Sequence, residues 1–148
     1  LGMGSLNMED LNKFTQELED LKSEVQVLET SILSLKTGKY LYFEIDVNTQ
    51  LKNLHTKAFD LIQKYSAGIV SHENFYEMAE YSTVVDWVNN FVHNSAYEKY
   101  NPHITLARNL EQTELELELP IKFKPTAIGL FHLGIHGTCK KLLYKIEL

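Results

Sequence analysis

Cysteine is nearly absent from this sequence, in which Cys139 is the only one. An internal disulfide and a zinc site built from several thiolates are therefore excluded, and the composition fits a reducing compartment. The sequence also lacks an apolar run of about 18 residues that could span a membrane. It contains no segment typical of a secretory signal peptide, in which a charged stretch precedes an apolar one. We therefore expect a cytoplasmic protein with no membrane among its partners.

An excess of basic residues is missing too, because 14 Lys and Arg stand against 20 Asp and Glu, for a net charge of −6. Broad binding to duplex DNA needs many side chains that neutralise phosphates, so this class of partner is excluded. A small phosphate site is not excluded by the charge. The length of 148 residues suffices for one domain with a sizeable core.

Apolar residues spaced by three and four predict three helices, over residues 7–23, 48–65 and 82–94. The expected N-caps are Asn7, Asn48 or Thr49, and Ser82. Alternation of apolar and polar residues predicts strands over 40–47, 102–108, 114–123, 127–133 and 140–148. The last two strands are joined across 134–138 as a hairpin. Residues 24–35 change period, which favours a strand, with a continued helix as the alternative.

The predicted order is helix, strand, strand, helix, helix and about four strands, without regular β–α alternation. This order is typical of an α+β fold in which helices pack on one face of an antiparallel sheet. Pro120 interrupts the alternation of its segment and indicates a sheet edge or a bulge. No linker or repeat divides the chain, so residues 1–148 are interpreted as a single domain.

Five of the six histidines have ordinary contexts. His55 lies on the apolar stripe of its helix and is expected to be either buried and hydrogen-bonded or half-buried. His72 and His93 are in or beside polar segments and are expected to be solvated. His136 falls in the predicted turn, and His132 lies on a strand, on either of its faces.

The sixth, His103, stands two residues before Thr105 in "NPHITLARN". Because side chains alternate along a strand, His103, Thr105 and Ala107 are predicted to share one face, and the apolar Ile104 and Leu106 to face the core. An imidazole exchanges protons near neutral pH, and a neighbouring hydroxyl can donate a hydrogen bond to a phosphoryl oxygen. The pair suits phosphate chemistry, although an isolated H-x-T also occurs by chance.

The run P-H-I-T-L-A-R from Pro102 to Arg108 resembles the second signature of the 2H phosphoesterase superfamily, which includes 2′-5′ RNA ligases and cyclic phosphodiesterases. Residues 38–62 and 125–148 are similar to the strand and helix before that signature and to the closing hairpin after it. The resemblance implies a bilobal, pseudo-symmetric α+β fold with antiparallel sheets and helices packed outside. Each lobe then gives one H-x-T/S motif to a shared cleft.

Two features depart from the family pattern. Residues 66–101 are longer than the usual spacer, and we expect no first H-x-T/S motif upstream of His103, since neither His55 nor His72 begins one. The chain opens with "LGMGSLNMEDLNKF", which resembles the segment that follows the first motif. We therefore expect the first strand or strands to be missing, with Thr or Ser preceding Leu1.

The resemblance implies that His103 is one member of a general acid–base pair and that Thr105 holds a phosphate oxygen, with no metal or other cofactor. Arg108 is a weaker candidate for substrate binding, because strict alternation assigns it to the opposite face of the strand. The implied partner is an RNA end or a small nucleotide with a 2′,3′-cyclic phosphate or a 2′-5′ linkage. With a single motif, this chain alone is expected to be inactive.

Three interpretations stay open at this point. The chain is an RNA-processing phosphodiesterase or the larger part of one, a non-catalytic relative that binds a nucleotide or an RNA end, or an α+β interaction domain in which H-I-T is coincidental. A sheet without its first strand exposes an edge, so self-association through that edge is a further expectation.

Overall fold

The computed structural model describes residues 1–26, 28–77, 82–108 and 117–147. They form a mixed α+β fold, as the predicted order of elements indicates. Its helices are α1 (Leu11–Glu19), α2 (Lys22–Gln26), α3 (Thr49–Lys64), α4 (Ser82–Asn89) and α5 (Phe91–Ser95). Its strands are β1 (Thr30–Lys36), β2 (Tyr40–Ile45), β3 (His103–Arg108), β4 (Ile121–Phe123), β5 (Ala127–Leu133) and β6 (Cys139–Glu147). Within the described ranges, no helix has the length and apolar character to span a bilayer.

The strands form two antiparallel sheets. In the part of the chain that the structure describes, the first sheet has the strand order β3-β2-β1-β4, so β3 and β4 are its edges there, and the second sheet is the β5–β6 hairpin. Pro120 immediately precedes β4, in agreement with the sheet edge that its missing N–H predicts.

Side-chain caps fix where the two longer helical segments begin. Asn48 accepts a hydrogen bond from the backbone N–H of Leu51 at 2.9 Å, which confirms it as the N-cap of α3. The Asn48 amide also donates to the carbonyl of Glu29 at 2.7 Å, linking the helix to the residue before β1. Asn7 likewise accepts from the N–H of Glu9, at the start of a short 3₁₀ turn that leads into α1.

One hydrophobic core joins α1, α2 and α3 to both sheets, whereas α4 and α5 contribute to two smaller clusters. Its buried members from α1 and α3 include Phe14, Leu18, Leu51, Leu54 and Leu61, and its members from the strands are Ile45, Ile128 and Ile146. Because this core uses the inward face of the first sheet, the alternate residues of β2 and β3 lie on the outward face. That outward face carries the candidate site.

The predicted hairpin between β5 and β6 is confirmed, and its turn is tightly packed. His136 and Gly137 there have positive φ angles of 67° and 69°. A side chain added at Gly137 would come within 2.5 Å of the Trp87 ring. The ring of Trp87, on α4, therefore lies directly on the hairpin turn.

Two helical segments differ from the sequence-based prediction. Val25 lies in α2, which follows α1 after a turn at Asp20 and Leu21, so a helix rather than a strand is right up to Gln26, and β1 begins only at Thr30. Val27 lies outside the described residues. The helix predicted over 82–94 is observed as two helices, α4 and α5, separated at Asn90.

The strand predicted over 114–123 is also shorter than expected. Residues 117–120 are not in a strand, and only Ile121–Phe123 pairs, with β1. Pro120 offers no N–H to a ladder, which is a physical reason for pairing to start after it. Residues 114–116 lie outside the described residues.

Candidate functional site

Strand β3 brings His103 and Thr105 together on one exposed face of the first sheet. In register with β2, His103 lies opposite Glu44 and Thr105 lies opposite Tyr42. Directly opposed residues of an antiparallel pair share a face, so these four side chains form one surface. Strand β1 extends it, because Ser34 is in register with Glu44. We call this surface, which also includes Lys36, the polar face.

The other face of β3 is less buried than predicted. Ile104 is 43% exposed and Leu106 is 45% exposed, so neither belongs to the core. Ile104 is in register with Phe43, which packs against the core, so its direction is as predicted. The physical reason for its exposure is that β3 is an edge strand, whereas the inner strand β2 buries Leu41 and Ile45.

A bulge at Leu106 interrupts the alternation along β3. Thr105 is opposite Tyr42, whereas Ala107 is opposite the adjacent residue, Leu41. Leu106 is therefore an extra residue on this strand. Ala107 shares the face of the buried Leu41, so the prediction that it lies beside His103 and Thr105 is wrong.

The same bulge affects the prediction for Arg108, which placed its side chain on the face opposite His103. That assignment assumed strict alternation from His103 onward, and alternation does not continue across Leu106. The backbone of Arg108 pairs with Tyr40, and its side chain lies outside what the structure describes. A role for Arg108 in substrate binding stays a prediction.

The imidazole of His103 is oriented by its neighbours. Its Nδ1 lies 3.0 Å from the carbonyl oxygen of Asn101. A carbonyl only accepts, so Nδ1–H donates, and in the neutral ring Nε2 is the nitrogen able to take a proton. The Tyr42 ring meets the imidazole edge-on, with 5.4 Å between centroids. The N–H of Ile45 donates to the carbonyl of Pro102 at 3.3 Å, which holds the start of β3 against β2.

Glu44 is ionised and already partnered within the polar face. Ser34 donates to Glu44 Oε2 at 2.7 Å, and Lys36 Nζ lies 3.4 Å from the same oxygen. The Ser34 hydrogen bond, followed by that of Lys36, lowers the pKa of the Glu44 carboxyl. Because Lys36 offsets the charge of Glu44, the surface beside His103 does not carry a net negative charge from this pair.

The polar face is open rather than enclosed. Two cavities among the described residues, of about 330 and 230 Å³, are lined by other parts of the chain and include neither His103 nor Thr105. In the same ranges no three His, Cys, Asp or Glu side chains are grouped closely enough to hold a metal ion. The His103–Thr105 pair thus presents a proton-exchanging group and a hydroxyl on an open surface.

The remaining histidines belong to other elements than β3. His55 is fully buried and hydrogen-bonded, as predicted. His72 and His93 are exposed, as predicted. The Nε2 atom of His132 lies 2.9 Å from the carbonyl oxygen of Asn74.

Two further H-x-T/S triplets occur in the chain, and one of them lies upstream of His103, so the expectation that no such triplet precedes His103 is wrong. His93–Ser95 is part of helix α5, and His136–Thr138 spans the turn before β6. Neither has the strand setting in which a histidine and a hydroxyl two residues apart share a face. Among the described residues, His103–Thr105 is therefore the one H-x-T/S triplet on a strand.

The likeness to 2H phosphoesterases rests on the residues of the chain itself. The chain matches no protein-family model, no curated protein and no solved structure.

Proposed function

We propose that the polar face binds the phosphate group of an RNA end or a small nucleotide, and that His103 acts there as one half of a two-histidine phosphodiesterase of the 2H type. The substrate class is a 2′,3′-cyclic phosphate or a 2′-5′ linkage. The observation that carries the proposal is the placement of His103 and Thr105, side by side on an exposed face and within the P-H-I-T-L-A-R run. The bilobal 2H fold is part of the same proposal.

The chemistry follows from the two side chains. Hydrolysis adds water across a P–O bond: the attacking oxygen loses a proton and the leaving ribose oxygen gains one. With Nδ1–H donating to Asn101, Nε2 of His103 performs one of these two proton transfers. The Thr105 hydroxyl donates to a non-bridging phosphoryl oxygen and stabilises the negative charge that builds up in the transition state.

A non-catalytic role in binding is the second candidate, and the open site favours it. A single proton-exchanging residue on an uncovered surface can hold a phosphate without supplying both an acid and a base. This candidate keeps the phosphate contacts of His103 and Thr105 and predicts affinity without turnover.

Turnover separates the two candidates. The enzyme proposal predicts that the protein containing these 148 residues cleaves a nucleoside 2′,3′-cyclic phosphate, and that His103→Ala lowers kcat by about 10²- to 10⁴-fold, the usual contribution of general acid–base catalysis. His93→Ala is the matched control, because His93 also begins an H-x-S triplet but lies on a helix. Turnover that is insensitive to His103→Ala would refute the assignment of this site.

Binding tests the phosphate contact without requiring turnover. A hydrogen bond to a charged group contributes roughly 1.5 kcal/mol or more, so we expect Thr105→Val to weaken the binding of adenosine 2′-monophosphate by about tenfold. Thr105→Ser keeps the hydroxyl and is expected to retain affinity. Titration calorimetry measures both. Equal affinities for the two variants would show that the hydroxyl does not contact the phosphate.

A further inference from the structure

His55 is the most completely enclosed polar side chain of the described core, with 0% of its surface exposed. Its Nδ1 lies 2.6 Å from the carbonyl oxygen of Leu1, and its Nε2 accepts a hydrogen bond from the backbone N–H of Tyr97 at 2.8 Å. The ring is stacked on the Tyr100 ring with 3.9 Å between centroids. His55 therefore connects helix α3, the first residues of the chain and the segment that precedes β3.

The two hydrogen bonds define the protonation state of the ring. The Tyr97 N–H can only donate, so Nε2 must be the unprotonated nitrogen, and the Leu1 carbonyl can only accept, so Nδ1 must carry the proton. In a doubly protonated ring, Nε2–H would face the N–H of Tyr97, and two donors cannot form a hydrogen bond with each other. The observed arrangement is thus specific to the neutral Nδ1–H tautomer.

The segment held by His55 leads directly to the proposed site. Tyr97 has a φ of 54°, an unfavourable left-handed conformation for a tyrosine that persists only where surrounding contacts enforce it. The contacts are the His55 hydrogen bond and a hydrogen bond from the Tyr97 hydroxyl to Asp60 at 2.8 Å. The next residues run through Tyr100 and Asn101, whose carbonyl receives Nδ1–H of His103.

We infer that His55 is a positioning residue for His103. It clamps Tyr97 by a hydrogen bond and Tyr100 by stacking, and so fixes the backbone whose Asn101 carbonyl orients the His103 ring. His55 itself is enclosed by protein and touches no reacting group. The consequence for phosphate binding rests on the proposed function, whereas the effect on the geometry of residues 97–103 does not.

Protonation of His55 is expected to open the clamp. The groups that face it are Asp60 on its own helix, the rings of Tyr97 and Tyr100, and the backbone carbonyl of Leu1. Burial lowers the pKa of His55, against the opposing effects of the hydrogen bond to the Leu1 carbonyl and of Asp60. The clamp is therefore closed at neutral pH and is released by acid.

Two substitutions separate the hydrogen bond from the stacking. His55→Phe keeps an aromatic ring but leaves the Tyr97 N–H without its acceptor, and His55→Gln supplies an uncharged oxygen acceptor. At pH 7.5 we expect His55→Phe to speed hydrogen exchange at the Tyr97 amide by roughly tenfold and to shift the His103 ring resonances in NMR spectra. We expect His55→Gln to stay within about threefold of the wild-type exchange rate. His93→Gln, an exposed histidine, is the control.

Acidification gives an independent readout. Between pH 7.5 and 5.5 the Tyr97 amide should lose protection in the wild-type chain but not in His55→Gln, which has no ring to protonate. The inference is overturned if His55→Phe leaves the His103 resonances at pH 7.5 unchanged, or if it only lowers global stability with uniform loss of protection.

Adenosine 2′-monophosphate affinity is measured on the same variants, with an expected loss of about tenfold in His55→Phe alone. A wild-type chain that does not bind the nucleotide contradicts the proposed function, while the NMR readouts still decide the role of His55.

Discussion

His55 and His103 are the same residue type in opposite surroundings. One is buried, with both ring nitrogens hydrogen-bonded to backbone groups, and the other stands on an open strand face with its Nδ1 hydrogen-bonded to the nearby backbone carbonyl of Asn101. The sequence distinguishes them, because an apolar helical stripe surrounds His55 and an alternating strand surrounds His103. The partners of His55 are 54 and 42 residues away in the chain, so no local pattern identifies them.

A pH dependence of stability follows for His55. Its pKa is lowered in the folded chain, mainly by burial, from a value near 6.5 in the unfolded chain. Between these two pKa values the unfolded state binds more protons, so the free energy of unfolding falls as the pH falls below about 6.5, by at most ~1.4 kcal/mol per pH unit. Urea unfolding at pH 7.5 and 5.5 measures this decrease.

The matched variants for that measurement are His55→Gln and His93→Gln. We expect the decrease in stability on acidification to become smaller in His55→Gln, because glutamine does not titrate. His93 is exposed, so His93→Gln should keep the wild-type decrease. The same decrease in wild type and His55→Gln would assign the acid sensitivity to other groups.

Single helices and strands were predictable where their signals are local. Apolar spacing and the Asn48 cap predict α3, and alternation predicts β2 and the closing hairpin. The bulge at Leu106 was not predictable, because it is produced by pairing with β2, a strand some 60 residues earlier. Val25 was misassigned since its spacing to Val27 fits a strand, whereas its burial within α2 comes from tertiary packing.

The cap of α3 gives a prediction for one element. Asn48→Ala removes the acceptor for the Leu51 N–H and the donor to the Glu29 carbonyl, so we expect the free energy of unfolding to fall by about 1–2 kcal/mol. Asn48→Asp keeps the acceptor and loses only the donor, so we expect a smaller decrease in the free energy of unfolding for this variant. Urea unfolding compares the two, with Asn94→Ala at an exposed position as the reference. Equal losses would mean that the acceptor contributes nothing.

At the scale of the whole molecule, α1, α2 and α3 share one core with both sheets, and this leaves the outward face and the edges of the first sheet uncovered by that core. The α+β class and the antiparallel pairing were predictable from the order of elements. The division into two sheets was not predictable, because tertiary packing determines which strands pair. The alternation of apolar and polar residues within a strand does not identify its partner. The face carrying His103 and Thr105 was predictable, but the neighbours Tyr42 and Glu44 required the register with β2.

Edge strand β3 carries the prediction of self-association. Ile104 and Leu106 are exposed there, and an exposed apolar edge is a template for pairing with another chain. We expect the chain to show a concentration-dependent increase in mass by sedimentation, and Ile104→Lys to reduce it. The control is Val92→Lys, at an exposed position on α5, which should leave the association unchanged. Association that survives Ile104→Lys would place the contact elsewhere.

Trp87 gives the molecule an optical probe of its own. It is the only tryptophan in the chain, its side chain is 37% exposed, and its ring lies on Gly137 in the turn of the second sheet. Tryptophan emission reports the polarity around the indole, so its wavelength and its quenching by a soluble quencher report whether α4 remains seated on the β5–β6 turn. The docking of a helix on a hairpin can therefore be followed by fluorescence in the unlabelled chain, separately from events at the polar face.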